Sequence, residues 1–305
     1  MFDTTTPIRR DDYGFFGPGS PSWKVWASPT SLIGFQRSVV LEHFDPYLAA
    51  AVADSAGIYS DPRGRLDRTL AYFLTVAVAD GRTAIAVSDA LMRIHAKVKG
   101  VEPITGQRYS ANNPAAQLWI HVTGWHSVLK CYERYGPGPL SADEEKRYWA
   151  ESRIAAELQT CKPSDVPGSR DEVRQYFADV RGQLCTSEHA DKAMNYLLWT
   201  PRDKGVRLWA GSRMLAPAAI ATLPKWMRHM GNFDQPAAVD AAVTPVARAM
   251  VRALSARDQR PLLAAATQLV PHTAAVLAQH LKAGEPASRR TVTPAEVKQR
   301  QAQLV

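Results

Sequence analysis

The sequence predicts an all-α fold, a single globular helical domain, and three features of it carry that prediction. Apolar residues recur at spacings of three and four, which places them on one face of a helix. Several of these runs open on a capping residue followed by proline or by a capping glutamate. Valine and isoleucine rarely alternate with polar residues, and no Asn-Gly or Asp-Gly pair joins two such runs, so strands and hairpins have little support.

Taken in order, "DPRGRLDRTLAYFLTVAVA" (61–79) offers Asp61 as N-cap and Pro62 at the first helical position, and "ADGRT" (79–83) reads as its end. In "LMRIHAKVKG" (91–100), Leu91, Ile94, His95 and Val98 share one stripe of a helix. "NNPAAQLWIHVTGWHSVLKCYERYG" (112–136) repeats the cap design with Asn113 and Pro114 and stops at Gly136. "LSADEEKRYWAESRIAAELQ" (140–159) carries a capping box, Ser141 with Glu144. Further helical patterns occupy 169–184, 236–256 and 261–283, and proline and glycine break the chain at 100–109, 136–139 and 163–168. No repeat or internal boundary is visible. The expected organisation is a loose N-terminal arm (1–16), one helical domain (17–282) and a basic, frayed C-terminal tail (283–305).

The 305 residues, 46% of them apolar, suffice for a substantial core and exclude a disordered or fibrous class. Lys and Arg outnumber Asp and Glu by 37 to 29, giving +8. That balance raises nucleic acid or anionic lipid as partners. The basic residues are scattered without a run of five, however, and part of the excess lies in the tail, so no nucleic-acid partner is expected. Cys131, Cys161 and Cys185 form no CxxC pair, and an odd count suits free thiols in a reducing compartment. No apolar h-region follows Arg9-Arg10 and no stretch approaches the roughly 20 apolar residues of a membrane span. A cytoplasmic location is the expectation.

Two features carry chemistry. Arg65, Arg68 and Thr69 stand at i, i+3 and i+4 and project from one helical face, with Tyr72 a turn further on. Guanidiniums entering an apolar helix need carboxylate partners, of which Asp61, Asp67 and Glu42 are candidates, or an anionic ligand. His95, on an apolar stripe, has two readings: a neutral imidazole satisfied by a hydrogen bond, or a metal ligand. His121 and His126 lie on different sides of their helix. No HExxH, P-loop, GxGxxG or GxSxG occurs, which removes zinc hydrolase, nucleotide-binding and acyl-transfer readings. A wide-pocket cofactor held by a single histidine, such as haem, survives.

Seven pieces then match one family in order: "GPGSPSWKVW" (17–26), "FDPYLAAAV" (44–52), "YSDPRGRLDRT" (59–69), "RIHAKVKG" (93–100), "YSANNPAAQLWIHVT" (109–123), "PLSADEEKRYWAE" (139–151) and "LPKWMRHMG" (223–231). The sequence resembles the latex-clearing-protein (rubber oxygenase) and endoplasmic-reticulum-bound fungal oxygenase family, all-α proteins that bind haem b. The resemblance implies His95, in the H-x-x-V motif, as the axial iron ligand, and an oxygenase that combines dioxygen with an apolar, isoprenoid or aromatic substrate. It places Arg65, Arg68 and Thr69 on the opposite side of the haem as hydrogen-bond donors, and His121 as a pocket or propionate contact or a structural hydrogen bond. Arg68 stands where the rubber-cleaving branch has a lysine. Arginine stays protonated and does not ligate iron, so a lysine-capped resting state is not expected. The branch's proposed glutamate base has no counterpart near Ala49. The alternative from another class is a haem- or lipid-binding protein without turnover.

Overall fold

The computed structural model describes residues 10–303 apart from Ala56. Helices account for 72% of the structure, which leaves room for little else. The first are α1 (Pro21–Trp26), α2 (Thr30–Glu42), α3 (Pro46–Ser55), α4 (Gly57–Ser60), α5 (Pro62–Val78) and α6 (Gly81–His95). A hairpin of β1 (Lys99–Val101) and β2 (Arg108–Ser110) precedes α7 (Pro114–Tyr135) and α8 (Ala142–Ala156). Then come α9 (Arg170–Val180), α10 (Glu188–Leu198), α11 (Val206–Thr222), α12 (Lys225–Met230), α13 (Ala237–Leu269), α14 (Pro271–Lys282) and α15 (Pro294–Ala302).

The capping residues set these boundaries. Asp61 accepts the Gly64 N–H at 3.0 Å, Asn113 accepts the Ala115 N–H at 2.9 Å, and Ser141 and Glu144 cap α8 reciprocally. The run 79–83 holds both the end of α5 and, at Asp80, the N-cap of α6. Inside the stretch 237–269 the helix breaks where Arg257, Asp258 and Gln259 take positive φ of 50°, 53° and 62°. Pro271 then separates α13 from α14.

α7 is the spine. α2 crosses it so closely that a Cβ on Gly34 would sit 2.7 Å from the Val128 Cα, which restricts that position to glycine. Around Trp125 an aromatic cluster fills the centre: Phe16, Trp26 and Tyr148 have ring centroids 5.9, 5.4 and 5.0 Å from it. Beside it the fully buried Arg37 donates to the Thr222 carbonyl at 3.0 Å and to Ser127 Oγ at 2.6 Å. Burial holds its pKa at about 10.

Three expectations need correction. The break at 100–109 contains an antiparallel hairpin, pairing Lys99 with Ser110 and Val101 with Arg108, because the Glu102 carboxylate accepts the N–H groups of Ile104 and Thr105 and closes the turn. The tail is not loose: the backbone of Ala287, Ser288 and Val292 donates to the carbonyls of Arg10, Asp11 and Gly14, and Val292 and Val297 are buried at the start of α6. The same bonds fix the described part of the arm, where Asp12 Oδ1 accepts the Gly14 and Gly81 N–H groups and Phe15 and Phe16 are buried. Residues 1–9 lie outside the described residues. Among those described, no helix is long and apolar enough to cross a membrane.

Candidate functional site

One turn into α5, Arg65 Nη1 donates to Ser55 Oγ at 3.2 Å. Its charge acts on three groups contributed by other elements: Glu42, His43 and His95. Glu42 closes α2 and accepts from Ser38 Oγ at 2.5 Å, one turn back on the same helix. Burial pushes its pKa from the ordinary 4.5 to about 7, while Ser38, Arg65 and Thr123 pull the other way. His43 donates its Nδ1 proton to the Val39 carbonyl at 2.5 Å, and among the described residues its buried Nε2 has no partner. Burial lowers its pKa to about 4, so it is neutral at physiological pH.

His95 is the last residue of α6, half-buried, and kept neutral first by burial and then by Arg65. Its Nδ1 lies 3.3 Å from Gln117 Nε2, and Gln117 itself is buried and donates to the Ala111 carbonyl at 2.6 Å. Among the described residues its Nε2 has no hydrogen-bond partner. Apolar side chains nearby in the chain are uncovered: Ile94 is 61% exposed, and Val101 and Ile104 are each 56% exposed. A neutral imidazole with an uncommitted nitrogen fits a single axial ligand to haem iron. With Gln117 donating as placed, the His95 proton sits on Nε2. Ligation there asks for the other tautomer, with the Gln117 amide turned so that its oxygen accepts from Nδ1.

The other expected site residues lie elsewhere. Arg68 points outward, 65% exposed, and pairs with Asp61 at 3.1 Å, so it does not share the Arg65 environment. Thr69 is half-buried, but its hydroxyl proton is committed to the Arg65 carbonyl at 2.8 Å. His121 faces α8, its Nε2 2.9 Å from the Ser152 carbonyl and 3.0 Å from Ser152 Oγ. Of the expected face of donors, Arg65 alone joins His95. Glu42 and His43 complete the group; "SVVLEHF" (38–44) signals them as a carboxyl and an imidazole set at the end of an apolar run. Among the described residues no three His, Cys, Asp or Glu side chains gather as a metal cage, and Cys131, Cys161 and Cys185 are free.

Comparison with curated proteins and with solved structures gives no match. A family model described as "ER-bound oxygenase mpaB/B'/Rubber oxygenase, catalytic domain" matches residues 23–256, a span that contains Glu42, Arg65, His95 and Gln117. That span covers more than half of the chain, which therefore belongs to the ER-bound oxygenase mpaB/B'/rubber oxygenase family and carries its catalytic domain.

Proposed function

We propose that this oxygenase is haem-b-dependent, that His95 is the axial iron ligand, and that it acts with dioxygen on an apolar substrate, isoprenoid or aromatic. The observation that carries the proposal is the neutral, half-buried His95 imidazole at the end of α6, with no hydrogen-bond partner at Nε2 among the described residues. Bound haem would supply the activation of dioxygen, a chemistry that no side chain provides. The protein's part is positional and electrostatic. Gln117 holds the ring of His95, and with its amide turned so that the oxygen accepts from Nδ1 it would leave Nε2 free for iron. Arg65 keeps a permanent positive charge between α5, α2 and the end of α6, where it favours developing negative charge. Glu42, with a pKa near 7, can hold or release one proton at its carboxyl near neutral pH, the property of a general acid or base. His121 belongs to the packing of α7 on α8 and stands outside this scheme.

The test is haem titration of the purified protein against His95→Ala, with dioxygen consumption followed on apolar candidate substrates. Stoichiometric haem with a Soret band in the wild type, its strong loss in His95→Ala and partial return with imidazole are expected. A protein that neither contains nor takes up haem overturns the proposal. Haem bound without dioxygen-dependent product leaves the carrier reading in its place.

A further inference from the structure

We infer a second ligand site, for an organic anion with an apolar body, in a cleft of about 440 Å³ between α9 and α12 that His95 does not line. Val173, Phe177, Pro224 and Trp226 make its apolar wall, and His126 of α7 contributes to it. Among the described residues, Arg174 and Arg181 are its charged side chains and no carboxylate lines it. The volume lies in the range of small-molecule sites, which are typically about 300–1,000 Å³ and mostly apolar with a few polar groups.

The charges point to an anion. His126 lines the cleft, and among the described residues its solvent-shielded Nδ1 has no hydrogen-bond partner. Arg37 and Lys130 place positive charge near it, whereas Arg170 is balanced by Glu133 and Glu145. Burial, and then the charges of Arg37, Lys130 and Arg170, hold its pKa well below the ordinary value. Arg37 is buried and bonded only to neutral oxygens, so its charge is not cancelled where it lies. At the rim the Arg181 guanidinium stacks 4.8 Å from the Trp226 ring centre and among the described residues has no carboxylate partner, whereas Arg174 shares its charge with Asp171. A carboxylate could accept from Arg181 while its body lies on Phe177 and Trp226, as arginine forks favour. The Phe177 ring, 5.5 Å from Trp119, separates this cleft from Glu42, whose carbonyl accepts the Trp119 indole N–H at 3.2 Å.

The probe is 2-naphthoate, with uncharged 2-naphthamide as its comparator, titrated into the purified protein by calorimetry and tryptophan fluorescence. Saturable one-to-one binding of the acid is expected, about tenfold or more tighter than the amide and weakened by salt. Arg181→Gln should weaken it about fivefold or more, and Ala178→Trp, which fills the cleft from an exposed position, should abolish it. Arg65→Gln and His95→Ala should leave it unchanged. Equal affinity for acid and amide, or binding that survives both cleft variants, overturns the inference, as does binding lost in Arg65→Gln. Should Ala178→Trp fail to fold, Arg181→Gln, at an exposed position, decides between these outcomes.

Discussion

Glu42→Gln should make the protein more stable at alkaline pH and leave it unchanged at acid pH. The native carboxyl is protonated up to about pH 7, against an ordinary 4.5. Between those values the folded chain holds a proton that the unfolded chain has released, so stability falls as pH rises through the window. At about 1.4 kcal/mol per pH decade, the displacement costs about 3 kcal/mol once the carboxylate forms in the fold. Glutamine is isosteric, keeps an oxygen for Ser38 Oγ and never ionises. His43, His121 and His280, each held near pKa 4, bend the wild-type profile the opposite way over much of the same window, since they must be neutral in the fold. The quantity to read is therefore the difference between variant and wild type, in which the histidines cancel. Urea unfolding by circular dichroism from pH 4.5 to 8.5 gives it. A difference growing to about 3 kcal/mol above pH 7 is expected. Parallel profiles, or a variant less stable than wild type at pH 8, would refute the burial argument for Glu42.

Gln117→Leu should weaken haem binding about tenfold or more with helical content intact, because it removes the partner that orients His95; unchanged affinity in a haem titration would show that Gln117 only packs. Arg68→Ala should leave dioxygen consumption and the thermal midpoint as they are, since its ion pair with Asp61 is solvent-exposed, whereas Arg65→Gln should lower consumption about tenfold or more. Alkylation without reductant should label half-buried Cys185 first and reach Cys131 and Cys161 only after denaturation, their thiols being buried and pushed up to about pKa 11; a mass short of three alkyl groups after denaturation would reveal a disulfide.

The helices whose first turn is written in the sequence were legible: Asp61-Pro62, Asn113-Pro114 and Ser141 with Glu144 each start a helix at the expected residue. Local hydrogen bonds decide such starts, and the bonding residues are adjacent in sequence. The hairpin was not legible, because three-residue strands hold too little pattern and the turn is closed by the carboxylate of Glu102. Nor was the docking of 287–292 along 10–14, a pairing of segments some 275 residues apart that rests on backbone groups and buried Val292 and Val297. At the site, helical spacing put Arg65, Arg68 and Thr69 on one face. Spacing does not say whether a side chain at a helix entrance folds inward or back on its cap. Arg68 reaches Asp61, seven residues earlier, and Thr69 bonds its own helix.

Arg65 is consequently the residue on which the electrostatics of the site turn. One guanidinium acts on groups of opposite charge sense: it favours the ionised form of Glu42 and disfavours the protonated forms of His43 and His95. Both effects run against or with the same burial. For the histidines, burial and Arg65 add, so His95 stays neutral over a wider acid range than burial alone would allow. For Glu42 they oppose, and the balance leaves its proton near neutrality instead of locking it on. Removing the charge should therefore shift two properties in a linked manner. In Arg65→Gln the pH at which haem is lost on acidification should rise, because His95 protonates more readily. The pH window in which Glu42 destabilises the fold should move upward in the same variant. A guanidinium that only braced Ser55 would shift neither.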